Sequence, residues 1–193
     1  MKLGKKQWIN TAWIIGMILI LFTPVGFYAR VFIGRLLSTS AAVLKTELQM
    51  PVENLDWQLA DARGDEINFK NAKGKVVLIN FWATWCPPCV AEMPSLQRLY
   101  EDYNEKVVFM FVAQDKVEKV SAFLAKNGYS LPVYYSKTEA PSVLTSKTIP
   151  TTYVINKEGK IIIAETGVAD WNSDKVRKIL DGLLKDAAES TAK

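Results

Sequence analysis

The hydrophobic pattern divides the 193-residue chain into an uncharged opening run and a longer stretch where apolar blocks alternate with helical periodicity. Between Lys6 and Arg30 lie 23 residues without a charge, QWINTAWIIGMILILFTPVGFYA. As one helix over 7–29 they would extend about 34 Å at ~1.5 Å per residue, enough for a hydrocarbon core of ~30 Å. Trp8, Trp13, Phe27 and Tyr28 fall towards the ends, where amphipathic rings favour the interface. The expectation is a transmembrane anchor over 7–29, after a cytoplasmic tail over 1–6 and before a juxtamembrane linker over 30–46. A cleaved signal peptide is the alternative, but the run exceeds a typical apolar region of ~7–15 residues. No good small-x-small site follows it.

From Glu47 the pattern is that of a globular domain, expected over 47–189 with a short tail at 190–193. Leu55–Leu59 and Ile67–Phe69 read as short strands around Ala62-Arg63-Gly64-Asp65. Val76–Phe81 is a near-continuous β-branched and apolar block, the mark of a buried central strand. A helix is predicted over Pro88–Tyr103, with Met93, Leu96, Leu99, Tyr100 and Tyr103 on one face. Val107–Ala113 is a second buried strand. Lys116–Asn127 reads as a helix closed by Gly128. Leu131–Tyr135 is a strand, Ala140–Ser146 a short helix, and Thr151–Ile155 with Lys160–Glu165 a hairpin. Ser173 is placed as N-cap of a last helix over Ser173–Ala188, with Val176, Ile179, Leu180, Leu183 and Leu184 inward. Strands alternating with helices imply an α/β domain with a central mixed sheet and helices on both faces.

Charge changes the picture at the N-terminus. The chain carries a net +4. Residues 1–45 hold Lys2, Lys5, Lys6, Arg30, Arg35 and Lys45 and no acid, a net +6, which leaves −2 for the rest. The basic excess therefore flanks the apolar run and is no stripe on the domain, which argues against nucleic-acid binding. Lys2, Lys5 and Lys6 place the N-terminus in the cytoplasm and the domain outside.

Chemistry is narrowed by what the composition lacks. There is no histidine, so the commonest metal ligand and usual general base are missing, and with them Ser-His and Cys-His hydrolase arrangements. Two cysteines are too few for a structural zinc site. No metal or separate cofactor is expected; the redox group is the Cys86–Cys89 pair itself. It stands where a strand gives way to a helix, in Phe81-Trp82-Ala83-Thr84-Trp85-Cys86-Pro87-Pro88-Cys89. A sulfur at a helix start meets unpaired N–H groups and the positive end of the dipole, both favouring thiolate. Pro87 and Pro88 are tolerated in a first turn and remove two donors from it. Cys86 is thus the attacking thiol and Cys89 the resolving one. A peroxidatic Pro-x-x-x-Thr-x-x-Cys setting is absent.

These nine residues, followed by Glu92 and Pro94, preceded by Gly74-Lys75 and accompanied by Ile149-Pro150-Thr151, resemble the TlpA/ResA-like branch of the thioredoxin superfamily over about residues 50–189. The resemblance implies a thioredoxin fold and an extracytoplasmic, periplasm-side oxidoreductase at the inner membrane. Such proteins reduce disulfides of client proteins, often during cytochrome c biogenesis or copper-centre assembly. It also implies recharging by a membrane thiol donor of the DsbD/CcdA type; a monomer is expected. Ile149-Pro150 matches the family's cis-proline loop, which makes Ile149, Pro150, Trp85 and Pro87 candidate substrate contacts; a cis X-Pro bond costs only ~0.5–1 kcal/mol. Pro94 matches a helix-kinking proline.

Glu92 shares a helix face with Cys89. Asn80 occupies the place of thioredoxin's buried Asp, and an amide cannot accept a proton, so Glu92 is the candidate proton carrier for Cys89. Two other readings stay open: a disulfide oxidase or isomerase, since the motif alone does not set the potential, and a non-catalytic module holding Cu(I) through both thiols and Met93.

Overall fold

A computed structural model describes residues 4–190; the outermost residues of both expected tails, 1–3 and 191–193, lie outside the described residues. Among the described residues, seven strands form one mixed sheet. They are β1 (Gln58–Ala60), β2 (Glu66–Asn68), β3 (Val76–Trp82), β4 (Val107–Ala113), β5 (Val133–Ser136), β6 (Thr151–Ile155) and β7 (Ile161–Thr166), in the order β2-β1-β5-β4-β3-β6-β7. β3 runs parallel to β4, and β4 to β5, while β6 lies antiparallel to both β3 and β7. β3 is buried at every position, as an inner strand covered on both faces must be.

Side-chain alternation sorts the core into two layers. Val76, Leu78 and Trp82 of β3 point to the face covered by α3 (Pro87–Tyr103), α4 (Val117–Asn127) and α5 (Asp174–Ser190), among Met93, Leu96, Leu99, Val120, Val176 and Leu180. Val77, Ile79 and Phe81 point to the other face, packed with Trp57, Phe69 and Leu144. That layer is closed by single 3₁₀ turns at Phe69–Ala72 and Ser142–Leu144. The helix expected over Ala140–Ser146 is only this second turn: Pro141 disfavours the helical conformation at Ala140, and Thr145 is already extended. The hydroxyl of Ser173 has no hydrogen-bond partner and does not cap α5. Asn172 Oδ1 instead ties the first turn by accepting from Arg177 Nε at 3.0 Å.

The uncharged run is not one helix. It breaks at Thr23 into α1 (Lys5–Phe22) and α2 (Pro24–Leu37). Thr23 adopts an extended conformation and its Oγ accepts from Gly26 N at 3.3 Å, while Pro24 starts the new helix, where its missing N–H breaks no bond. No helix among the described residues is long and apolar enough to cross a membrane. The segment expected as a linker over 30–46 is helical as far as Leu37. The chain then follows β7: Thr39 bridges Ala169, Leu44 N donates to Ile162 O at 2.8 Å, and Pro51 bridges Lys160. That passage covers the sheet's end strand, which otherwise presents unpaired backbone groups.

Candidate active site

The carboxyl end of β3 leads through Ala83-Thr84-Trp85 into α3. Gln114 N donates to Trp82 O at 2.8 Å, and the Thr84 hydroxyl donates to the Asp115 carboxylate, so the loop is tied to the end of β4. Cys86 is the N-cap of α3, with Pro87 and Pro88 in the first turn. Its Sγ accepts from Cys89 N at 3.2 Å. The two prolines supply no donors, so the helix start offers the sulfur one N–H from its first three residues rather than three. Cys86 and Cys89 form a disulfide, with Cα atoms 5.3 Å apart. Both are buried, Cys89 completely.

Across from the pair, the Ile149–Pro150 peptide is cis. The Ile149 carbonyl oxygen lies 3.7 Å from Cys86 Sγ. Gly167 N donates to Pro150 O at 3.0 Å, which anchors this loop to the end of β7. Trp85 stands 60% exposed beside the disulfide. Trp85, Cys86, Pro87 and Ile149 lie at one end of the sheet, and Pro150 is buried.

Glu92 lies on α3 and is 1% exposed. Its Oε1 accepts from Asn80 Nδ2 at 2.8 Å, and its Oε2 from the Trp171 indole at 3.1 Å. Asn80 Nδ2 also donates to Thr152 Oγ1 at 2.7 Å, and its buried Oδ1 has no hydrogen-bond partner. Ser95 Oγ donates to Glu92 O at 2.7 Å and accepts from Trp171 N at 3.2 Å. Burial pushes the Glu92 carboxyl up to about 8, against the pull of hydrogen bonds from Trp171, Asn80 and the Ala169 backbone. A group so tuned exchanges a proton near neutral pH.

Sequence reasoning reached Glu92 and Asn80 but not their joining, and it missed Trp171 and Thr152. No local motif marks Trp171, which meets Glu92 across 79 positions. Among the described residues no three His, Cys, Asp or Glu side chains cluster as a metal set would.

A mixed sheet of this order, with a disulfide at the start of α3 facing a cis-proline loop, defines a thioredoxin-like thiol-disulfide oxidoreductase. Residues 46–183 match the Redoxin family, and the chain belongs to it. It is 35% identical to a thiol-disulfide oxidoreductase ResA of Bacillus cereus over 144 residues, 73% of this chain and 80% of that one. With ResA of Bacillus subtilis (strain 168) the identity is 29% over 173 residues, covering 86% and 88% of the two chains. StoA from Bacillus subtilis superposes with a TM-score of 0.51 at 25% identity, covering 64% of this chain and 92% of that one. A DsbF homologue from Corynebacterium diphtheriae shares the fold at 18% identity, with a TM-score of 0.58 over 75% and 93% of the chains.

Proposed function

We propose that this oxidoreductase is a reductase of protein disulfides, held at the cytoplasmic membrane by its N-terminal helices with the catalytic domain on the extracytoplasmic face. The observation that carries the direction is the sparse set of donors at Cys86. A dithiol-disulfide couple becomes oxidising when its thiolate is well stabilised. Here Pro87 and Pro88 leave Cys89 N as the first-turn donor to the sulfur. The reduced pair is held weakly and gives up its electrons readily.

In this reading a client disulfide lies along the Ile149-Pro150 loop, with Trp85 and Pro87 shaping its other side. Cys86 thiolate attacks one client sulfur, and the second leaves as thiolate. Cys89 then attacks Cys86 Sγ, which re-forms the protein disulfide and frees the first client sulfur. Two electrons have passed to the client, whose two thiolates take up their protons from solvent. Glu92 takes the Cys89 proton during resolution. The oxidised pair is recharged by a membrane thiol donor of the DsbD/CcdA type, and clients belong to cytochrome c or copper-centre maturation, as in the family the chain resembles. The likeness to ResA proteins supports this reading, as does the basic, acid-free N-terminal segment.

The reduction potential of the full chain in detergent, equilibrated against glutathione, tests the direction. A value nearer ~−270 mV than ~−120 mV, the span of thioredoxin-like pairs, is expected. A value at the upper end makes the protein an oxidase. A reporter fused after Lys193 should be active only when exported; activity on the cytoplasmic side overturns the topology.

A further inference from the structure

The α2 helix is apolar on two opposite sides, and only one of them is covered. Val31, with Phe27 beside it, packs against Val90 and Ala91 in the first turns of α3. A Cβ on Gly34 would stand 3.2 Å from Ala91 Cβ, so the two helices meet at nearly backbone contact. Arg35 Nε donates to Ala91 O at 3.3 Å. Val168 completes the seat, and the adjoining Ala169 is the residue whose backbone reaches Glu92.

The opposite side of α2 carries Val25, Tyr28, Phe32 and Leu36, at spacings of three and four, with Ile33 and Leu37 alongside. All are exposed. An apolar stripe of this length needs an occupant. α1, one residue upstream, indicates which. Its exposed Trp8, Ile9, Ile14, Met17 and Ile18 point to every side of the helix. A protein partner covers one face; a helix apolar all round fits a medium that is apolar all round. The flanking charge is all positive, Lys5 and Lys6 before α1's apolar run and Arg30 and Arg35 within α2, which suits an anionic lipid surface.

We propose that α2 lies in the membrane interface with its Val25-Tyr28-Phe32-Leu36 face in lipid while its Val31-Gly34 face stays docked on α3, so that the catalytic pair is held at the bilayer surface. The proposal rests on the reading of α1 as a membrane anchor. One helix thickness, about 10 Å, then separates the lipid-facing side from the start of α3. The disulfide is thereby presented to partners embedded in or lying on the membrane.

The test uses the full chain in vesicles of phosphatidylcholine with a minor share of phosphatidylglycerol. In a Cys86→Ser, Cys89→Ser background, single Trp13→Cys, Phe32→Cys, Leu36→Cys and Lys137→Cys variants carry an environment-sensitive fluorophore. Lipids bearing a spin label shallow or deep in the acyl chain serve as quenchers. Positions 32 and 36 are expected to be quenched by the shallow label, 13 by the deep one, and 137 by neither. Quenching at 13 with none at 32 and 36 overturns the proposal and leaves the anchor standing. No quenching at 13 removes the anchor itself. Protection of 32 and 36 from aqueous iodide without lipid quenching means a second copy covers the face, which also overturns it. Gly34→Cys with Ala91→Cys is expected to close into an intramolecular disulfide in the same vesicles. Failure to close while lipid quenching persists shows that α2 has left the domain, and refutes the docked arrangement.

Discussion

The indole N–H of Trp171 donates to Glu92 Oε2 at 3.1 Å, joining the loop before α5 to the catalytic helix. The bond stabilises the ionised carboxylate, so its loss pushes the Glu92 pKa further above about 8. A hydrogen bond to a charged group is worth ~1.5–3 kcal/mol, which corresponds to about one pH unit or more. Trp171→Phe keeps an aromatic ring in the buried slot. The acidic limb of the resolving step, below which Glu92 is protonated and cannot accept a proton, should move to higher pH, together with the midpoint of the carboxyl-carbon NMR titration of Glu92. If neither moves, Trp171 is packing alone.

Glu92 also makes stability depend on pH. Its folded pKa, about 8, lies above the ordinary value of 4.5. A raised acid pKa means that the folded state binds the proton more tightly. The stability it contributes is fully present below about 4.5 and declines as pH rises towards 8. The decline should be on the order of a few kcal/mol for a carboxyl this buried. Glu92→Gln is nearly isosteric and neutral throughout. Thermal unfolding of the oxidised protein should show the variant's slope flattened across this window, and the variant more stable than the parent at its alkaline end. Equal slopes for the two proteins would mean that Glu92 is solvated in solution.

The division of labour between the thiols follows from the capping geometry. Cys86 Sγ faces the Ile149 carbonyl at 3.7 Å, whereas Cys89 is wholly buried. Cys89→Ser should therefore accumulate mixed disulfides with client proteins, since nothing resolves them. Cys86→Ser should accumulate none. Alkylation of the reduced parent at neutral pH should label Cys86 first. Equal trapping by both variants would reverse or abolish the assigned order of attack.

The sheet was legible where one force dominated locally. Val107–Ala113 and Thr151–Ile155 have the predicted bounds, because β-branched, doubly buried runs can be little else. The Gly128 cap was legible too, since its φ of 68° suits glycine. The break at Thr23-Pro24 was not read from the sequence, although Thr before Pro is a local helix-start signal. Glu92 shows the opposite limit. Its place on α3 follows from spacing, yet a glutamate on a helix face is ordinarily solvated. Its burial depends on Asn80 from β3 and Trp171 from beyond β7, contacts that only the folded sheet creates.

The approach of α2 to α3 turns on Gly34, and this can be tested without touching the catalytic pair. Glycine inside a helix is unfavourable by ~0.8–1.0 kcal/mol relative to alanine, so propensity alone predicts that Gly34→Ala stabilises. The added Cβ would stand 3.2 Å from Ala91 Cβ, tighter than a relaxed contact, and Ala91 is fixed in the first turns of α3. The two effects oppose each other, leaving little net change for alanine. A larger side chain has no such balance. Gly34→Leu should separate α2 from Val90 and Ala91 and break the Arg35–Ala91 bond, with a loss of ~1–3 kcal/mol as for overpacking elsewhere. Ala91→Gly should relieve the clash and restore part of that loss, although glycine at 91 weakens α3 by itself. The readout is hydrogen exchange at α2 amides, which should accelerate in Gly34→Leu and slow again in the double variant. Unchanged exchange in Gly34→Leu would mean that α2 does not rest on α3.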